Sequence, residues 1–127
     1  MFDNFKMMGQ VAKLMGDQQA LKDAGERVKV ELRSARIDRE AGGGAVRVTV
    51  DGQGKLLAVE LSPALASGLG DDASREMAQS LIVQAVNDAT QAALRLLVET
   101  LNREAAQMGL PALPSDVDRL LSEREQG

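Results

Sequence analysis

Apolar residues recur along the first third of the chain at helical spacing. Met7, Val11, Leu14, Leu21, Val28 and Leu32 fall near one stripe, with Phe5, Met8, Ala12 and Met15 widening it early. This predicts a long amphipathic helix from Phe2 to about Leu32. Positions 7, 14, 21 and 28 are seven apart, but Gln18 and Gly25 interrupt the companion positions, so partial packing is expected rather than a self-standing coiled coil. Gly9, Gly16 and Gly25 each weaken a helix by about 1 kcal/mol relative to Ala, which predicts a loose or kinked N-terminal half.

After Leu32 the period changes from that of a helix to that of strands. Ala35, Ile37 and Arg39 alternate with Arg36, Asp38 and Glu40, and Val46, Val48 and Val50 alternate with Arg47, Thr49 and Asp51, two half-buried strand patterns. Lys55 to Leu61 puts Leu57, Val59 and Leu61 on one face and Leu56, Ala58 and Glu60 on the other, so a strand covered on both sides is expected there. Gly42-Gly43-Gly44 and Asp51-Gly52-Gln53-Gly54 lie between the strands and supply the turns of an antiparallel meander.

Pro63 ends the third strand, and Ser67-Gly68-Leu69-Gly70 reads as a loop. Asp71, Asp72 or Ser74 can each cap the helix that follows, and the carboxylates suit the positive end of its dipole. From Arg75 to Gln107 the stripe Ala78, Leu81 or Ile82, Ala85, Ala89, Ala92 and Leu96 is continuous, broadened by Val86, Ala93, Leu97 and Leu101. Its alanines permit close approach of another element, so this is the expected main packing helix and dimer surface. Residues 1–110 therefore read as one domain. Beyond the break marked by Gly109, Pro111 and Pro114, residues 111–127 read as a peripheral acidic tail whose short helix starts at Ser115 and Asp116 and carries Val117, Leu120 and Leu121.

The fold class that emerges is α+β: a long helix, a three-stranded antiparallel meander and a second long helix. In a chain of 127 residues with Phe2 and Phe5 as its only aromatics, the core must be built from aliphatic side chains. Two helices and three strands of this size leave one sheet face and much helix surface bare, which predicts a homodimer.

Cysteine is absent, so there is no disulfide framework and no thiolate zinc site. The N-terminus carries Asp3 and no basic leader region, and no uncharged run approaches the ~20 residues of a membrane span. The expected compartment is the cytoplasm, with no membrane partner. The Met-rich start carries only Lys6 and Lys13, balanced by Asp3 and Asp17, a poor match to anionic lipid and a better one to a partner subunit.

The chain also has no His, Tyr or Trp, which removes the commonest general base and the phenolic acid along with the thiol nucleophile. No enzymatic activity and no cofactor are expected. The glycine clusters lack the Lys-Ser or Lys-Thr of a phosphate loop, and Arg47 stands where a dinucleotide loop wants its third glycine, so they read as turns. Asp71-Asp72 and Asp116-x-Asp118 are the close carboxylate pairs, and helix starts account for both more simply than a hard cation does.

Charge is unevenly distributed within a net of −4. Residues 1–40 hold eight Lys or Arg against seven Asp or Glu, residues 71–110 three against six, and residues 111–127 two against four. The densest basic segment is Arg27, Lys29, Arg33, Arg36 and Arg39, opposed locally by Glu31 and Asp38. Lys29, Arg33 and Arg36 are spaced three and four apart and share a helix face, and the strand residues Arg36 and Arg47 extend it. Such a surface suits phosphates, through counterion release and without sequence reading. An ordinary solvated face, partly neutralised by its own acids, is the bland alternative.

The order of these elements, the start Met1-Phe2 with its Met-rich helix, Val46-Arg47-Val48-Thr49-Val50-Asp51-Gly52, Val59-Glu60-Leu61-Ser62-Pro63 and Ala85-Val86-Asn87-Asp88-Ala89 together resemble the YbaB/EbfC family of small bacterial nucleoid-associated proteins, over roughly residues 1 to 108. The resemblance implies a tweezer-shaped homodimer that binds duplex DNA with little sequence preference. It places DNA contact on Lys22, Arg27, Lys29, Arg33, Arg36 and Arg47, and gives Asn87 and Asp88 a structural role in orienting the helix against the sheet or across the dimer. It also implies a nucleoid location, with proteins of replication or recombination-repair as further partners. A dimeric scaffold for such proteins, with DNA contact incidental, is the alternative function.

Overall fold

A computed structural model describes residues 2–111, with side chains from residue 18 onward. Helix α1 spans Phe2–Ser34, strands β1, β2 and β3 span Ile37–Ala41, Val46–Val50 and Leu56–Leu61, a short helix α2 spans Pro63–Ser67, and α3 spans Asp72–Gln107. The sheet has the order β1-β2-β3 and is antiparallel throughout, so the fold is α+β as the periodicity predicts. The expected tail helix, the pair Asp116-x-Asp118 and the Met-rich apolar start lie outside the described residues or side chains.

The core is one seam. Val46, Val48 and Val50 are fully buried on the inner face of β2, and Ala85, Ala89 and Ala93 of α3 lie on them, with Ile37, Leu61, Leu65, Leu81, Ile82 and Val86 closing the edges. Alanines at intervals of four let the helix axis come close to the sheet, and the valines fill the space between. Of the two alanines offered by the stripe near its middle, Ala93 is buried and Ala92 only half-buried.

β3 corrects an expectation. It is not covered on both sides: Leu56, Leu57 and Val59 are 45%, 41% and 41% exposed. A single helix is about 10 Å across and strands lie about 4.8 Å apart, so α3 covers β1 and β2 and leaves the third strand outside its shadow. A register shift between Thr49 and Val50 adds a bulge at the start of β3, which turns Leu57 out of the alternation.

The ends of the elements follow their local chemistry. Ser62 accepts a hydrogen bond from the Leu65 N–H at 3.2 Å and Pro63 takes the first helical position, so α2 starts where the sequence reading has only the end of a strand. Asp71 is the residue that caps α3, accepting from the Ser74 N–H at 3.3 Å and its hydroxyl at 3.0 Å. At the other end Gly109 N–H and Leu110 N–H donate to the carbonyls of Ala106 and Ala105 at 3.1 and 2.8 Å, which closes the last turn before Pro111. α1 runs as one continuous helix through Gly9, Gly16 and Gly25.

Two glycines are dictated by close approach. Gly42 opens the β1–β2 turn at φ 66°, and a Cβ there would stand 2.7 Å from Leu81 Cδ1 of α3. Gly52, in the β2–β3 turn, donates its N–H to the Leu32 carbonyl at 2.7 Å, and a Cβ on it would meet that same oxygen at 2.7 Å and Leu32 Cα at 2.8 Å. This second contact ties the last turn of α1 to the sheet. The turn is itself rigid: the buried Asp51 carboxylate accepts from the N–H groups of Gln53 and Lys55 at 2.9 and 3.0 Å.

Candidate nucleic-acid interface

α1 docks on α3 through a narrow strip. Ala24, Val28 and Leu32 are buried while Leu21 is 47% exposed. Two ion pairs cross the seam, Arg27 to Glu104 at 3.1 Å and Arg103 to Glu31, and they fix the two helices as antiparallel neighbours. At the lower end a cavity of about 370 Å³ opens between Leu32, Gly52, Gly54, Thr90, Ala93 and Leu97. The seam also buries Thr100, whose hydroxyl has no hydrogen-bond partner.

At 3.6 residues per turn, Lys22, Lys29 and Arg33 fall within about 40° of one another on α1, on a row about 16 Å long. All are exposed and, among the described residues, none has an ion-pair partner. Glu26 is the acid within that row. The row lies on a flank of the helix, its centre about 120° round from that of the strip Ala24, Val28 and Leu32, and all three side chains stay exposed.

The other expected site residues are engaged. Arg27 sits on the flank turned to α3 and pairs with Glu104. Arg36 lies between α1 and β1 rather than in a strand, and its guanidinium donates to the Arg33 and Ala35 carbonyls, both at 2.8 Å, satisfying the helix end. Arg47 stands on the outer face of β2 and donates to Asp38 at 3.0 Å. Thr49 donates to the other oxygen of Asp38 at 2.5 Å. That hydroxyl bond first, and then Arg47, hold the Asp38 carboxyl below the usual carboxylate range, while Asp38 makes Arg47 hold its proton more tightly. Glu40 and Glu60 share this outer face, so it is acidic on balance, and the grouped open cations are those of the helix, with Arg39 of β1 and Lys55 before β3 exposed singly.

Asn87 and Asp88 are both exposed, so within the subunit neither orients α3 against the sheet. Glu104 and Arg103, which set how α1 lies, were not singled out from the sequence. Their signal is faint, since an acid and a base on the last turns of a helix usually face water. Among the described residues no cluster of acids is arranged to hold a metal ion, and no helix is long and apolar enough to cross a membrane.

A geometry of one exposed cationic helix on a small helix-covered meander meets an independent comparison. Residues 7–108 match the model of the YbaB/EbfC DNA-binding family. The chain belongs to the YbaB/EbfC family. Its relatives agree along nearly their whole length. The chain is 34% identical over 108 residues to a nucleoid-associated protein of Acinetobacter baumannii, covering 85% of this chain and 93% of the relative. It is 34% identical over 105 residues to one of Gluconacetobacter diazotrophicus, covering 83% and 94%, and 29% identical over 107 residues to one of Pelotomaculum thermopropionicum, covering 84% and 98%. A crystal structure of an uncharacterized protein from Helicobacter pylori aligns with a TM-score of 0.48 at 24% identity, covering 59% of this chain and 82% of that one. The YbaB/EbfC family is a DNA-binding family and not a family of enzymes, in keeping with a chain that lacks His, Cys, Tyr and Trp.

Proposed function

We propose that this YbaB/EbfC protein is a nucleoid-associated homodimer that grips duplex DNA through phosphate contacts made chiefly by α1, with little sequence preference. The observation that carries the reading is the row Lys22, Lys29 and Arg33, exposed and unpaired on a helix that buries Ala24, Val28 and Leu32 on another face. Arg27, Arg36 and Arg47 complete the expected contact set, as cations that must first leave Glu104, the helix-end carbonyls and Asp38. Long, flexible cationic side chains on one helix, placed on phosphates, read charge rather than base edges. The exposed Leu56, Leu57 and Val59 of β3 give the second copy an apolar strip to cover, and pairing doubles the cationic row. The names of the relatives support a nucleoid location in the cytoplasm.

Fluorescence polarisation of a labelled duplex across a salt series tests this. Three phosphate contacts per subunit give a slope of log affinity against log salt of roughly −3 per subunit. Lys22, Lys29 and Arg33 changed together to Gln flatten that slope, equally on duplexes of unrelated sequence. A second reading, a dimeric scaffold for replication or recombination-repair proteins, draws on the acidic outer sheet face around Asp38, Glu40 and Glu60. Absence of salt-sensitive binding at low ionic strength selects it, and a monomer by light scattering removes both.

A further inference from the structure

We propose that Glu104 limits how tightly the arm binds DNA, by acting as an internal rival to phosphate for Arg27. The inference rests on the DNA reading above and concerns the same helix. The two ion pairs between α1 and α3 have opposite charge order and unequal burial. In the pair Arg103 to Glu31 both side chains are about half exposed, 51% and 43%, so it opens at little cost. In the pair Arg27 to Glu104 the arginine side chain is 57% exposed while the glutamate side chain is only 12% exposed.

That asymmetry decides which partner governs the bond. The guanidinium can turn to solvent or to a passing phosphate without penalty of its own. Glu104 cannot, because opening the pair leaves the carboxylate of a mostly covered side chain without its cation. The cost of recruiting Arg27 therefore sits on α3, outside the DNA-contacting helix. Arg27 lies about 140° round the helix from Lys22, so once released from Glu104 it offers a phosphate a further contact on the α3 flank, outside their row. While clasped, it adds nothing to the positive field of the arm, since Glu104 cancels it at 3.1 Å.

The test uses full-length protein and a short duplex of arbitrary sequence, read by polarisation across a salt series. Glu104→Gln, close in shape and able to stay hydrogen-bonded, tightens binding at least about threefold at low salt and steepens the salt slope by up to about 0.9 per subunit. Glu76→Gln, an equal charge change at an exposed site on α3, produces a smaller gain. In the Glu104→Gln background, Arg27→Gln removes the gain. The proposal is overturned if the gain of Glu104→Gln persists when Arg27 is also changed to Gln, or if Glu104→Gln binds no better than Glu76→Gln. Should Glu104→Gln fail to fold, the exchanged pair Arg27→Glu with Glu104→Arg is read instead. Binding at native strength supports the clasp, and binding lost on exchange refutes it. If neither the native chain nor any variant shows salt-sensitive binding, it is the DNA reading itself that has failed, a result distinct from the others.

Discussion

The two long helices of this protein are held by different physics. α3 lies on the sheet through Ala85, Ala89 and Ala93 against Val46, Val48 and Val50, a dry seam in which every member is at most 3% exposed. α1 is held by a strip of Ala24, Val28 and Leu32, one backbone hydrogen bond to Gly52 and two ion pairs reaching solvent. The first seam is stabilised by burial and holds no charge pair for salt to screen. The second relies on polar contacts that ionic strength and polyanions weaken. The helix that carries the open cations is thus the one whose attachment responds to the ligand that those cations attract.

The comparison breaks most easily at the dry seam. Ala89→Leu inserts methylenes where no space exists, and urea unfolding should show a loss of about 3 kcal/mol. If the loss is below about 1 kcal/mol, the seam is looser than described. Next comes the tie at the base of α1. Gly52→Ala drives a Cβ into the Leu32 backbone and is expected to cost about 2 kcal/mol, with faster amide exchange in the last turns of α1 than in α3. Uniform exchange in both helices would show that Gly52 does not separate the two attachments.

Smaller effects sharpen the contrast. Thr100→Val replaces an unpartnered buried hydroxyl with a methyl of the same shape and should stabilise the α1–α3 seam by about 1 kcal/mol in thermal or urea melts. A destabilisation would mean that the hydroxyl is satisfied. The smallest effect is acid sensitivity of the outer sheet face. Because the folded-state pKa of Asp38 is lowered, its contribution is present above the ordinary Asp range and is lost as pH falls through the lower folded value. Melting temperature should therefore fall slightly more steeply in acid for the native chain than for Asp38→Asn, and parallel pH profiles would show that Thr49 and Arg47 do not act on that carboxyl.

Much of this architecture is legible from residue order. Alternation in Val46, Val48 and Val50 marks the buried face of β2, and the alanine stripe marks the helix that covers it, because both patterns record burial on one side. β3 is misread for the same reason. A run such as Leu56-Leu57-Ala58-Val59 has the composition of a strand buried on both faces, and composition cannot say how many strands one helix covers. The cationic site is legible in part. Helical spacing groups Lys29 and Arg33 but adds Arg36, which lies beyond the end of α1, and the partners that engage Arg27 and Arg47 lie 77 and 9 residues away. Neither pairing follows from periodicity. Glu104 in particular acquires its meaning only when α1 folds back beside α3.

The most direct measurement is lysine protection. Reductive methylation followed by mass spectrometry, with and without duplex at low salt, should show Lys22 and Lys29 shielded by DNA, with the shielding lost as salt is raised. Equal labelling of both lysines with and without bound duplex would contradict the placement of DNA on α1.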